Sequence, residues 1–362
     1  MTRSEALTRL LAETGFAGAE RTPLAGDAST RRYERLKLGE RRAILMDAPP
    51  SAESVPCPPG ATPAERRGLG WNATSRLAAS RVEAFVAVAA HLRALGLAAP
   101  EIYGADLGAG YAVIEDLGDA LYARIIADGG ADEIVLYREA ARVLAHAHAT
   151  PPPLRLQAPS GAAWPLLDYD ALALEVNADL FVDWLPRAAE GVAIDDVARA
   201  RWGHVRDSLI VKAMGFPRAF TIRDYHAENL LWLPEREGLS RVGLLDFQDA
   251  VRGWRGWDFV MLLDDARRDV SPEAREAAIR AYLDAAGGDD APFRRELAVL
   301  GALNARRILG RFAQLAHDGR QRYLAYMPRE WGHLARNLQH PALEDARAFV
   351  ADVARPYLEA AA

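Results

Sequence analysis

Cysteine is almost absent from this sequence: Cys57 is the only one in 362 residues. A single thiol excludes an internal disulfide framework and a cysteine-based zinc cluster, and it suits a reducing compartment. A basic excess is also lacking. The formal charge is −6, which argues against a nucleic-acid binder that relies on a strongly basic surface. The first residues, Met1-Thr2-Arg3-Ser4-Glu5, have none of the apolar run of a signal peptide. No stretch reaches the ~18 apolar residues of a membrane span, and the most apolar one, 84–100, is broken by His91 and Arg93. The cytoplasm is the expected location. With 50% hydrophobic residues the chain is not disordered, and its length suits two lobes around a sizeable core.

What is present divides near Gly118. Thr2 and Glu5 have capping-box spacing, and Leu7, Leu10 and Leu11 follow at helical spacing up to Gly15. Segments 33–38 and 42–46 flank a Gly39-Glu40 turn and predict a hairpin. Six prolines between 49 and 68 predict a surface loop. Val82, Phe85, Val86, Ala89 and Leu92 form one helical face, and a strand pair is expected at 101–103 and 111–115. Helical patterns then dominate, at 133–149, 171–184, 195–214, 273–286 and 293–317, interrupted by two short apolar strands at 230–233 and 242–245. The predicted fold is α+β: a small β-rich N-lobe over 1–118, and a larger helical C-lobe over 119–362 with one embedded hairpin.

The chemistry concentrates in Arg223-Asp224-Tyr225-His226-Ala227-Glu228-Asn229 and in Leu244-Leu245-Asp246-Phe247-Gln248-Asp249. An Asp, four residues, an Asn, a strand, a turn, a second strand and another Asp is an arrangement suited to phosphoryl transfer to a hydroxyl. The loop Asp takes or orients the hydroxyl proton, while the Asn and the second Asp offer oxygen ligands to magnesium beside nucleotide phosphates. A capping role for an Asp beside a turn is the plainer alternative.

On these residues the chain resembles the aminoglycoside phosphotransferase family, small-molecule relatives of the protein kinases. The resemblance implies a protein-kinase-like two-lobe fold, ATP and Mg²⁺ as cofactors, Asp224 as catalytic base, and Asn229 and Asp246 as magnesium ligands. In the N-lobe, Gly26, Asp27, Ser29 and Thr30 form a turn suited to phosphate. Glu115-Asp116-Leu117 is the expected hinge, with Glu115 and Leu117 offering backbone groups to adenine. Met46 stands where the family places a phosphate-holding lysine, which leaves Glu83 without that partner. Arg31, Arg32 or Arg42 is then the candidate for the missing charge, with Arg32 among the expected cofactor-binding residues. That absent lysine also motivates a nucleotide-binding, catalytically inactive alternative.

Within the family, Gly26-Asp27-Ala28-Ser29 with Arg32-Tyr33, Met46-Asp47-Ala48-Pro49-Pro50, Arg223-Asp224-Tyr225-His226 and Arg307-Ile308-Leu309-Gly310-Arg311-Phe312 are similar to the anomeric amino-sugar kinases of bacterial cell-wall recycling. These phosphorylate N-acetylmuramate and N-acetylglucosamine at the C1 hydroxyl. Ile222, Asn304 and Ala305 depart from the pattern, and kinases of other sugars, aminoglycosides, choline or homoserine are the alternatives. Between 294 and 336 nine arginines face three acids, a local charge of +6 that favours an anionic acceptor over a polycation. Tyr225, His226, Arg307 and Arg311 are the candidate acceptor-binding residues. Trp184, Trp254 and Trp257 are candidate sugar platforms, although each is more often core. Asp258 resembles the family's supporting aspartate, expected to anchor the catalytic loop.

Overall fold

The Thr2 hydroxyl accepts from the Glu5 N–H and the Glu5 carboxylate accepts from the Thr2 N–H, so helix α1 (Arg3–Glu13) starts at the predicted capping box. The computed structural model describes residues 2–24, 30–52, 55–77, 81–158 and 163–361. After α1 come strands β1 (Glu20–Pro23), β2 (Arg32–Leu38) and β3 (Arg41–Asp47), and later β4 (Ile102–Asp106) and β5 (Tyr111–Ile114). They form an antiparallel sheet in the order β1-β2-β3-β5-β4. The predicted hairpin is β2–β3, with Tyr33 opposite Met46 and Leu36 opposite Ala43.

Alternation on the central strand β3 decides what covers each face. Ala43 and Leu45 meet Leu10 and Phe16 on the α1 side. Ile44 and Met46 join the main core with Phe85 and Val86. Met46 is fully buried, so the strand position resembling the family's lysine contributes packing and no charge.

Between β3 and α3 (Val82–Ala94) the structure departs from the expected loop. Helix α2 (Pro63–Leu69) forms inside the proline-rich stretch, because Thr62 and Glu65 make a second capping box and Pro63 sits at the first helical position, where its missing N–H costs nothing. A π-helical turn (Asn72–Arg76) follows and ends at Leu77, which is held at φ +70°.

The C-lobe contains α4 (Tyr122–Ala127), α5 (Glu133–Ala147), the small hairpin β6 (Arg155–Gln157) and β7 (Ala163–Pro165), α6 (Ala171–Ala178), α7 (Leu180–Trp184) and α8 (Asp196–Met214). Strands β8 (Arg218–Thr221), β9 (Leu230–Trp232), β10 (Val242–Leu244) and β11 (Val251–Trp254) come next, then α9 (Arg255–Leu263), α10 (Pro272–Ala286), α11 (Asp290–His317), α12 (Met327–Asn337) and α13 (Glu344–Ala360). The helix expected over 171–184 is two helices that meet at Asp179. Helix α11 starts earlier than its apolar pattern suggests. Strands β6, β7 and β11 and helices α12 and α13 were not legible in the sequence.

One apolar core runs from the inner sheet face through the C-lobe helices. Helix α11 crosses the start of α7 at Gly310, where a Cβ would lie 2.2 Å from the Leu180 carbonyl carbon. That close approach fixes the height of the α11 arginines relative to the cleft. No helix among the described residues is long and apolar enough to cross a membrane.

Candidate active site

Strand β8 delivers the chain into the loop 222–229, and β9 and β10 return it to Asp246. The loop backbone is pinned from below: the buried Asp258 carboxylate of α9 accepts from the Ile222 N–H at 2.9 Å and the Arg223 N–H at 2.7 Å. The supporting role expected of Asp258 has this geometry. Arg223 and Asp246 both hold positive φ, +83° and +54°, a region that costs a side-chain-bearing residue about 1–3 kcal/mol. Such strain persists only where surrounding contacts over-determine the backbone, and here it flanks Asp224 and supplies Asp246 itself.

The hairpin brings the predicted residues together. The Leu245 N–H donates to the Asn229 carbonyl at 2.9 Å, which sets Asp246 beside Asn229. The Asn229 amide donates to the Asp224 carbonyl at 2.8 Å and lies 3.2 Å from His226 Nε2. Asp224, His226, Asn229 and Asp246 line one cleft of about 290 Å³, together with Arg76, Arg223, Arg307 and Arg311. Burial, and next the charge of Asp246, push the Asp224 carboxyl above the usual carboxylate range. Burial opposes ionisation of Asp246 as well, but the Arg31 guanidinium and the Gln248 amide hold it below that range.

Arg31 is therefore the residue of the three candidates that reaches the site. Its side chain is buried and ion-paired with Asp246. Arg32 is exposed at the start of β2, opposite Asp47, and Arg42 is exposed opposite Lys37. Thr30 is exposed, while Gly26, Asp27 and Ser29 lie outside the described residues. At the hinge, the Glu115 N–H donates to the Glu101 carbonyl, and the Glu115 carboxylate binds Arg236 at 2.6 Å. That N–H is thus not free for adenine. Leu117 packs on Leu231 and Leu233 beneath β9. Glu83 pairs with Arg81 at 2.6 Å.

Tyr225 does not reach the cleft. It is buried beneath α5, where its hydroxyl donates to the Ala140 carbonyl at 2.9 Å. Trp254 and Trp257 are core residues packed around Tyr169, and Trp184 meets His317 edge-on and lies beneath the Arg187 guanidinium. The aromatic residue that lines the cleft is Trp71, beside Ser75 and Arg76. This strap, 63–77, is fastened to the C-lobe. Arg66 pairs with Asp170, Arg67 with Glu175 and Arg76 with Asp249, the Ser75 hydroxyl donates to Asn177, and Arg223 donates to the Ser75 and Arg76 carbonyls. The capping box at Thr62 was the one sequence signal that could have revealed it.

Magnesium binds through one or two carboxylates plus phosphate oxygens and water. The Asp246 carboxylate with the neighbouring Asn229 amide is a donor set of that kind, and the like charge of Asp224 adds negative potential a cation would relieve.

Comparison with known proteins places this geometry. The model of the phosphotransferase enzyme family matches residues 20–297. An N-acetylmuramate/N-acetylglucosamine kinase of Caulobacter vibrioides is 50% identical over 349 residues, covering 96% of this chain and 95% of that protein. One from Pseudomonas aeruginosa is 33% identical over 87% of this chain and 83% of its own length. Among solved structures, a choline/ethanolamine kinase family protein from Mesorhizobium loti superposes with a TM-score of 0.56 at 18% identity, covering 97% of this chain and 99% of that one. An ADP-bound aminoglycoside phosphotransferase superposes with a TM-score of 0.53 at 12% identity, over 90% and 96% of the two chains. These superpositions establish the two-lobe, protein-kinase-like fold, and with the family match over most of its length the chain belongs to the phosphotransferase enzyme family.

Proposed function

We propose that this protein is an ATP-dependent kinase that transfers the γ-phosphoryl group to the anomeric C1 hydroxyl of N-acetylmuramate or N-acetylglucosamine. The observation that carries the reading is the meeting of Asp224, Asn229 and Asp246 in one cleft whose C-lobe wall bears Arg223, Arg307 and Arg311. Similarity to amino-sugar kinases over nearly the whole chain supports the choice of acceptor. A cationic acceptor such as choline or an aminoglycoside would meet that arginine wall, which disfavours both.

In this reading Asp224 accepts the C1 hydroxyl proton as the sugar oxygen attacks the γ-phosphorus and the bond from that phosphorus to the β-γ bridging oxygen breaks, leaving ADP and a sugar 1-phosphate. An anomeric hydroxyl is more acidic than an ordinary alcohol, which lightens the task of the base. Asn229 and Asp246 would hold Mg²⁺, which when bound neutralises charge on the phosphate oxygens. Arg31, held at Asp246, brings hydrogen-bond donors to the phosphate side of the cleft, where Met46 brings none. Its planar fork of donors suits phosphate.

The test is ³¹P NMR of ATP, Mg²⁺ and enzyme with a panel of N-acetylated sugars. An α-anomeric phosphate signal with N-acetylmuramate or N-acetylglucosamine is expected. A product only with other alcohols overturns the acceptor assignment, and no ATP consumption with any sugar or amino alcohol favours an inactive nucleotide binder.

A further inference from the structure

Two guanidinium groups that helix α11 brings to the C-lobe wall of the cleft have no neutralising carboxylate among the described residues. Arg307 donates to the Asn304 side-chain oxygen at 2.8 and 3.0 Å, and Arg311 donates to the Gln314 side-chain oxygen at 2.5 Å. Both partners are neutral amides. Holding a guanidinium away from water without an opposing charge is costly, and burial lowers the proton affinity of both groups.

Their spacing orders them along the cleft. Arg307 is close enough to Asp224 for their charges to interact. Arg311 is one turn further on the same face of α11, a rise of about 6 Å. Above it stands Trp71 of the strap, with the Arg311 guanidinium carbon 6.0 Å from the indole centroid. Trp71 is 36% exposed, one of few large apolar side chains on the described surface, and it faces the same cleft. Neither its exposure nor the unneutralised charge beside it serves the fold.

We propose that Trp71 and Arg311 form an acceptor subsite for a pyranose that carries a carboxylate on a ring substituent away from its reacting hydroxyl. The apolar ring face lies on the indole, and the carboxylate takes the Arg311 fork in two parallel hydrogen bonds. Asp224 then holds the hydroxyl while Arg311 reads the acid on the substituent. A neutral amino sugar keeps the stacking and loses the ion pair, so Arg311 sets selectivity between an acidic and a neutral acceptor, while Trp71 serves both. The assignment rests on the sugar-kinase reading for its chemistry, but its binding test does not need turnover.

The experiment compares wild type, Arg311→Ala, Arg311→Lys and Trp71→Ala, each checked for cooperative thermal unfolding well above the assay temperature. Steady-state kinetics are measured with N-acetylmuramate and with N-acetylglucosamine, and binding of each sugar is measured by calorimetry. Losing a hydrogen-bonded charge raises the N-acetylmuramate KM about 10- to 100-fold in Arg311→Ala, with kcat nearly kept. The N-acetylglucosamine KM rises less than about threefold, and Arg311→Lys, a point charge without the fork, falls between. Trp71→Ala weakens both sugars alike. Equal losses for the two sugars in Arg311→Ala overturn the subsite. If wild type phosphorylates neither sugar, the kinase reading fails and calorimetry decides the subsite alone. N-acetylmuramate binding that weakens in Arg311→Ala upholds it, whereas binding that is unchanged, or absent in wild type, overturns it.

Discussion

The arginines that line the cleft fall into two sets that differ in what holds them. Arg31 and Arg76, from the N-terminal part of the chain, and Arg267 are ion-paired with Asp246, Asp249 and Glu228. Arg223, Arg307 and Arg311 are held by backbone carbonyls, an asparagine and a glutamine. A paired arginine stabilises the fold and contributes little net charge to the space beside it. An arginine held by neutral groups weakens the fold and keeps its charge for a ligand. The paired set is thus fastened and near neutral, while Arg223, Arg307 and Arg311 leave their wall of the cleft poised for an anion. Lys37 and Lys212 are the only lysines in the chain, so this division of labour falls on arginine.

Asp224 has no ion-pair partner in either set, and replacing it breaks the chemistry without touching the comparison. In Asp224→Asn, kcat should fall by about 10²- to 10⁴-fold, the usual contribution of a positioned base, while ATP affinity measured by equilibrium titration stays near that of wild type. Wild-type turnover would remove Asp224 from the mechanism.

The two arginine sets should respond to mutation with opposite signs. Arg76→Ala removes the ion pair with Asp249, which is only 2% exposed, and should cost about 3 kcal/mol of stability by denaturant titration. Adding Asp249→Asn to that variant recovers part of the loss. Arg307→Met keeps an unbranched apolar stem but removes an unneutralised charge, so it should be neutral or stabilising by about 1 kcal/mol. The same variant loses acceptor affinity. A destabilised Arg307→Met with unchanged acceptor KM would erase the distinction.

Much of the C-lobe end was legible because it is local. Asp224, Asn229 and Asp246 sit in two short motifs joined by a hairpin, and strand pairing alone brings them together. Arg307 and Arg311 share a helix face by spacing. Tyr225 is a neighbour of Asp224 in sequence but faces the opposite side of the loop, toward α5, and nothing in its residue type shows which side it takes. Choosing between Arg31 and Arg32 is a matter of one position, and near a strand one position exchanges the faces. The strap was illegible for a different reason. It is fastened by contacts to residues 170–177 and 249, about a hundred residues or more away, and six prolines around it read as loop. Trp71 was missed with it.

The subtlest test concerns the acid that could have neutralised Arg307 and does not. Glu330 of α12 is fully buried, feels the charge of Arg307, and has neither carboxyl oxygen hydrogen-bonded among the described residues. Burial, and next the charge of Asp264, raise its carboxyl well above the ordinary value, which favours the protonated form, the form that leaves the Arg307 charge uncancelled. A group whose folded pKa lies above its unfolded one binds its proton more tightly when folded. Its contribution to stability is complete below the unfolded value and is lost as pH rises through the folded one. Glu330→Gln mimics the protonated acid at every pH. It should therefore match wild type in acid, exceed it in thermal midpoint as pH rises, and flatten the decline, by an amount on the order of 1 kcal/mol. If wild type and variant lose stability in parallel across that range, Glu330 is ionised in the folded protein. Arg307 would then be a neutralised arginine like Arg31, and the contrast between the two sets would narrow to Arg223 and Arg311.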